Sequence, residues 1–150
     1  MNRKELDRFS WGLGVCDAFA EVVRAGVKRI ALSHPFTEEE LWGELRGQEF
    51  LDACDQIAEE NDCKAYHLKE PVLTDLFPIS ENWGRQNIIF YRDPADITEL
   101  LAIQSEKNAL QAAGKYEGEA RRALAVRYGH LLSYSDEAIE RYLRNNDELE

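Results

Sequence analysis

No stretch of this chain stays apolar long enough to form a membrane span or a signal peptide, its start MNRKELDRFSWGLG included. The expectation is a cytoplasmic protein without a membrane partner. Cysteines are few and scattered: three in all, Cys16, Cys54 and Cys63, with no Cys-x-x-Cys pair. An odd, dispersed set offers no disulfide framework and suits a reducing compartment, where cysteines fill space as small apolar groups. Basic residues are also in short supply, 18 Lys and Arg against 29 Asp and Glu, for a net charge of -11. A surface of that sign repels phosphate backbones, so nucleic acid is not an expected partner. Internal repeats, low-complexity tracts and glycine- or proline-rich linkers are missing too. That leaves residues 1–150 as a single α/β domain, with Gly114 as the place for any sub-boundary.

What is present is a dense set of helix and strand signals. Val15, Phe19, Val22 and Val23 recur at helical spacing, and Gly26 follows as a left-handed cap before the β-branched run VKRIAL. Gly12 and Gly14 weaken that helix; they mark either a start near Ser10 or a site of close backbone approach. Thr37 and Glu40 form a capping box, and Phe36 can staple onto Leu41. Leu41 and Leu45 face a different way from Phe50, Ala53, Cys54 and Ile57, so the helical stretch must break near Gly43 or Gly47. CKAYHLKE reads as a second strand, PVLTDLFPISENWGRQ as a long irregular segment, and NIIFYRD as a third and most apolar strand.

Everything after it is helical. Asp93 caps and Pro94 opens one helix, Ala120 to Leu132 lie on another, and Ser135 caps a last one with Tyr134 stapled onto Ile139 and with Tyr142 and Leu143 inward. The tail RNNDELE is expected to fray. The fold class is therefore α/β: a small mixed sheet of about three strands with a βαβ crossover, flanking helices and an all-helical C-terminal third. The position and direction of the third strand stay open.

Chemistry, if any, should gather where a strand ends ahead of a helix, and RIALSHPF is such a place. Ser33 and His34 could hold an anion there, or His34 could act as acid or base with Glu38 or Glu70 beside it. The plainer reading is an ordinary Ser-His-Pro turn whose following helix already carries Glu38, Glu39 and Glu40 at its positive end. Cys63 and His67 have helical ligand spacing, but on a strand they stand about 13 Å apart, too far for one ion, so no metal and no cofactor is expected. GLGVCD lacks the third glycine of a dinucleotide fingerprint and follows no strand. No Walker lysine motif, nucleophile elbow or His-Glu-x-x-His occurs. The Ala125 to Gly129 spacing resembles the turn of a helix-turn-helix, but Leu131 and Leu132 carry the helix onward and Asp136, Glu137 and Glu140 would repel phosphates.

Two features point to partners. ENWGRQ sets Trp83 and Arg85, residue types favoured at binding hot spots, on either side of a glycine, with Phe77 nearby; Trp83 could equally fold inward as a lid on the core. Arg121, Arg122 and Arg127 are either surface ion pairs or a basic spot that docks a second copy as a homodimer. The expected function is thus a non-catalytic cytoplasmic interaction or regulatory domain with an acidic surface. The alternatives are a small enzyme or small-ligand-binding protein at Ser33 and His34, and an acidic mimic or inhibitor directed at a nucleic-acid-binding protein, which calls for a double row of carboxylates.

Overall fold

Asp7 opens the first helix: its carboxylate accepts the Ser10 N–H at 2.9 Å, and helix α1 runs Arg8–Arg24 in the computed structural model, which describes residues 5–150. The start near Ser10 is thus two residues late, because the cap is Asp7. α1 closes as a complete Schellman motif, with Gly26 at φ +75°, Gly26 N–H donating to Val23 O at 3.0 Å and Val27 N–H to Val22 O at 3.2 Å. That turn takes Val27, 69% exposed, out of the expected strand, so β1 is only Ile30–Leu32.

Further on lie α2 (Glu38–Trp42), α3 (Gln48–Glu60), β2 (Lys64–Leu68), α4 (Ile79–Asn82), β3 (Asn87–Tyr91), α5 (Pro94–Ala112), α6 (Gly118–Leu131) and α7 (Asp136–Asn145). The chain divides into two compact units. One runs through Glu70 and takes in Gly84–Arg92; the other comprises Pro71–Trp83 and Asp93–Glu150.

In the first unit the sheet order is β1-β3-β2. β1 pairs antiparallel with β3 (Ile30 opposite Tyr91), and β2 pairs antiparallel with β3 (Lys64 opposite Tyr91). The α/β class stands, but the sheet is antiparallel in every pair, not mixed. The crossover is split: β1 and β2 run the same way without touching, and β3 lies between them. The reason is composition, since the centre strand must bury both faces and NIIFY is buried at its first four positions.

The capping box at the start of α2 is formed, Glu40 N–H to Thr37 Oγ1 at 3.1 Å and Thr37 N–H to Glu40 Oε1 at 3.2 Å. The break falls where the two apolar faces demanded it, with Arg46 at φ 65° and Gly47 at φ 58°. At Gly47 an added Cβ would lie 2.4 Å from the Trp42 ring, so the turn also needs the missing side chain. On the sheet face made by Ala31, Ile88, Phe90 and Ala65, the core collects Cys16, Ala20, Leu41, Leu45, Phe50 and Cys54, with Phe36 edge-on to Phe50 at 5.7 Å. Gly12 lets α1 come close to α3, its absent Cβ 3.3 Å from Phe50 Cε2.

In the second unit, Asp93 caps α5 by accepting Ala95 N–H at 2.9 Å, and Ser135 caps α7 by accepting Ala138 N–H at 3.1 Å. Gly114 sits between α5 and α6, inside this unit. Phe77 meets Tyr142, Tyr128 and Tyr134 edge-on at 5.5, 6.2 and 6.3 Å, and Tyr134 stacks on Tyr142 at 5.4 Å. Ile139 packs on Gly129, where an added Cβ would lie 2.5 Å from Ile139 Cγ1. The segment expected to fray is tied down: Asn146 Nδ2 donates to Asp75 O at 2.9 Å, Ile79 N–H to Glu148 O at 3.1 Å, and Lys107, 6% exposed, pairs with Glu150. Arg121 grips Asp75 with two bonds of 2.7 Å, Arg122 meets Glu140, and Arg127 meets Glu99 and Glu106, so all three arginines hold acids of their own unit.

Candidate functional site

β1 ends because Ser33 closes it. Its N–H donates to Ile88 O at 2.8 Å, and the return bond from Ile88 N–H reaches Ser33 Oγ at 2.9 Å, because the Ser33 carbonyl accepts from Asn87 Nδ2 at 3.0 Å. Ser33 Oγ in turn donates to the His34 carbonyl at 3.0 Å. Ser33 and Asn87 are both buried, and every one of these bonds satisfies a backbone group at the strand terminus.

His34 stands beside α1. Its ring meets Trp11 edge-on at 4.8 Å; Arg8 lies 5.1 Å over the same indole and donates to Glu40 at 3.4 Å. Partial burial holds the imidazole below the ordinary histidine value, the Arg8 charge adds to this, Glu40 opposes it, and Arg85 contributes in the same direction as Arg8. The ring, shifted toward its neutral form mainly by burial, rests edge-on against the Trp11 indole.

Glu38 belongs to a separate chain of bonds. Trp42 Nε1 donates to Glu38 Oε1 at 2.8 Å, Gln86 Nε2 donates to Glu38 Oε2, and Gln86 Oε1 lies 2.6 Å from His67 Nε2. With the Gln86 amide nitrogen committed to a carboxylate, its oxygen must accept, which assigns the His67 proton to Nε2. The Gln86 bond, then the Trp42 bond, hold the Glu38 carboxyl below the usual range. Glu70 is exposed beyond the end of β2. The four residues proposed for chemistry therefore fall into different settings: Ser33 and His34 at the close of β1, Glu38 with Gln86 and His67, and Glu70 on the surface.

His67 and Cys54 line a small cavity of about 190 Å³ with Leu51, Asp55, Ala65 and Ile88. Cys54 shares an S–H···S contact of 3.8 Å with Cys16, and that bond, followed by burial, pushes its thiol far above the ordinary value. It is a protonated core thiol. Cys63 donates to Asn61 O at 3.1 Å, while His67 is bound to Gln86, so the strand keeps this pair on separate partners. Among the described residues no cluster of three His, Cys, Asp or Glu side chains could hold a metal ion.

The same two elements, α3 and β2, border a larger open groove of about 930 Å³. Asp52, Asp55 and Glu59 line it at spacings of three and four, which puts them in one row, with Glu60 near its end and Lys64 and Ala65 on the strand side. Of the residues named for binding, Trp83 is 69% exposed at the end of α4, Arg85 acts on His34, and Phe77 belongs to the tyrosine cluster of the second unit.

Reading the sequence missed Trp11, Gln86 and the row on α3. The i, i+3, i+7 acidic spacing was a usable signal for the row, and the i, i+4 spacing of Glu38 and Trp42 for that bond. Nothing local marks Gln86 as the partner of His67. Comparisons with family models, with curated proteins and with solved structures returned no match.

Proposed function

We propose that this chain is a non-catalytic interaction protein that acts in the cytoplasm and engages a protein partner through Trp83. The observation that carries the reading is the exposure of that side chain, 69%, at the close of α4, where the Trp83 backbone N–H donates to Ile79 O at 2.9 Å and Gly84 follows at φ +71°. An exposed indole combines large apolar area with few rotatable bonds, the property that makes tryptophan an anchor at interfaces. Supporting it, Ser33 spends its hydroxyl on the strand end and the His34 ring packs edge-on against Trp11, so the competing enzyme reading would need both released from structural contacts. Three reduced, buried cysteines suit the compartment. The mimic reading asks for a double row of carboxylates, whereas Asp52, Asp55 and Glu59 make a single one. No helix among the described residues is long and apolar enough to cross a membrane.

The test is native mass spectrometry of the protein gently recovered from its own cells, alone and as Trp83→Ser and His34→Ala. A co-purifying protein that Trp83→Ser releases and His34→Ala retains is expected. A small added mass that disappears with His34→Ala would overturn the reading in favour of a strand-end ligand.

A further inference from the structure

We infer that the outer edge of β2 accepts a lysine- or arginine-rich extended segment of a partner protein as a fourth strand, steered by the acidic row of α3. The inference rests on reading the chain as an interaction module, but not on Trp83.

The edge comes first. Ile88 turns both its N–H and its C=O toward Ser33 on the β1 side. Along an antiparallel strand these directions alternate, so Asn87, Ile89 and Tyr91 turn toward β2 and meet Leu68, Tyr66 and Lys64. The N–H and C=O groups of Ala65 and His67 consequently point outward. Among the described residues the sheet ends at β2, and no backbone bond reaches those groups. An edge of this kind is a template for a further strand.

The chemistry of the occupant follows from what borders that edge. The open groove meets the start of β2 at Lys64 and Ala65, with Tyr91 of β3 beside them, and the smaller cavity shares Asp55 and Ala65 with it and reaches His67; α3 lines both. Asp52, Asp55, Glu59 and Glu60 contribute four carboxylates against one ammonium, Lys64. Asp52 is steadied by Gln48 at 2.8 Å and Glu60 by Gln56 at 2.9 Å. Along the helix, Asp52, Asp55 and Glu59 follow one another by about 4.5 and 6 Å, while alternate side chains of a strand are about 6.6–6.8 Å apart. Cations at every second position of an added strand can thus reach the row.

The same charges argue against a second copy as the occupant. Edge-to-edge pairing of two β2 strands would bring two α3 rows together on chains that each carry a net charge of -11. A basic segment gains where a second copy is repelled.

The test uses a fluorescent synthetic peptide with lysine at alternate positions, titrated into the full chain and followed by anisotropy and by amide NMR. The Ala65 and His67 amide signals are expected to shift, and affinity to fall about tenfold or more between about 0.05 and 0.5 M salt. Asp52→Asn/Asp55→Asn/Glu59→Gln should weaken binding about tenfold or more, Trp83→Ser should leave it unchanged, and N-methylation of the peptide amides facing β2 should abolish it. If the N-methylated peptide binds as well as its parent, attraction is by charge alone and strand addition is overturned. Indifference to the triple substitution would remove the groove even where Trp83→Ser releases a natural partner, which separates this failure from that of the interaction reading. A dimer disrupted by Ala65→Pro at the outward edge would assign it to a second copy instead.

Discussion

The sulfur atoms of Cys16 and Cys54 lie 3.8 Å apart in the core between α1 and α3, close enough to share a proton and closed off from solvent. That contact and the surrounding apolar groups keep the Cys54 thiol protonated. Because the thiolate is the reactive form and both sulfurs are shut off from solvent, the native protein should resist iodoacetamide at Cys54 and at the buried Cys16 near pH 8 and take up label at all three cysteines after denaturation. Peptide mass spectrometry reads the result; native labelling at Cys54 would contradict it.

Gly129 is inside α6, where glycine is normally a weak choice, because Ile139 occupies the space a Cβ would need. Gly129→Ala should therefore destabilise by about 1–3 kcal/mol through overpacking, although alanine is the better helix former. Ile139→Ala opens that space, so the double variant should cost less than the sum of the two single ones. Urea denaturation of the four proteins measures the difference.

The Lys107 side chain is 7% exposed, and the Glu150 carboxylate is its ion-pair partner. Removing one partner of such a pair leaves an uncompensated buried charge, whereas replacing the cation by an apolar side chain of similar volume does not. Glu150→Gln should accordingly lower the denaturation midpoint more than Lys107→Met does. The reverse order would mean that the carboxylate contributes little.

The imidazole of His34 binds its proton less tightly in the folded chain than in the unfolded one, where the ordinary value is 6.5. Its contribution to stability is then complete above that value and is lost as pH falls through it toward the lower folded value. Between about pH 7.5 and 5.5 the unfolding midpoint of His34→Gln should decline less steeply than that of the unsubstituted protein. Equal slopes would remove His34 as a contributor.

Local signals were legible and distant ones were not. The Thr37–Glu40 box, the Asp93 and Ser135 caps, the Gly26 turn and the break before Gln48 all involve residues within a few positions of one another, where spacing dictates geometry. The place of β3 between two strands was not legible, because its apolar run states that both faces are covered without stating which neighbours cover its edges. The site shows the same division. His34 and Ser33 could be singled out by their position at a strand end, but Trp11 against His34, Asn87 on the Ser33 carbonyl and Gln86 on His67 are partners 19 or more residues away, and no periodicity announces them. The tail was misjudged for that reason too: its polar composition suits solvent, yet Asp75, Ile79 and Lys107 supply the bonds that hold it.

The insertion of β3 between β1 and β2 also sets the order in which the first unit can assemble. As the chain is synthesised, both outer strands exist before the strand that joins them, and the intervening Pro71–Trp83 belongs to the other unit. Until Asn87–Tyr91 emerges, β1 and β2 each present an unpaired edge with nothing between them, and the core face made by Ile88 and Phe90 is missing. A fragment cut at Glu70 would keep two edges without a centre, and no single cut can part the two units, because each is written in two pieces along the chain.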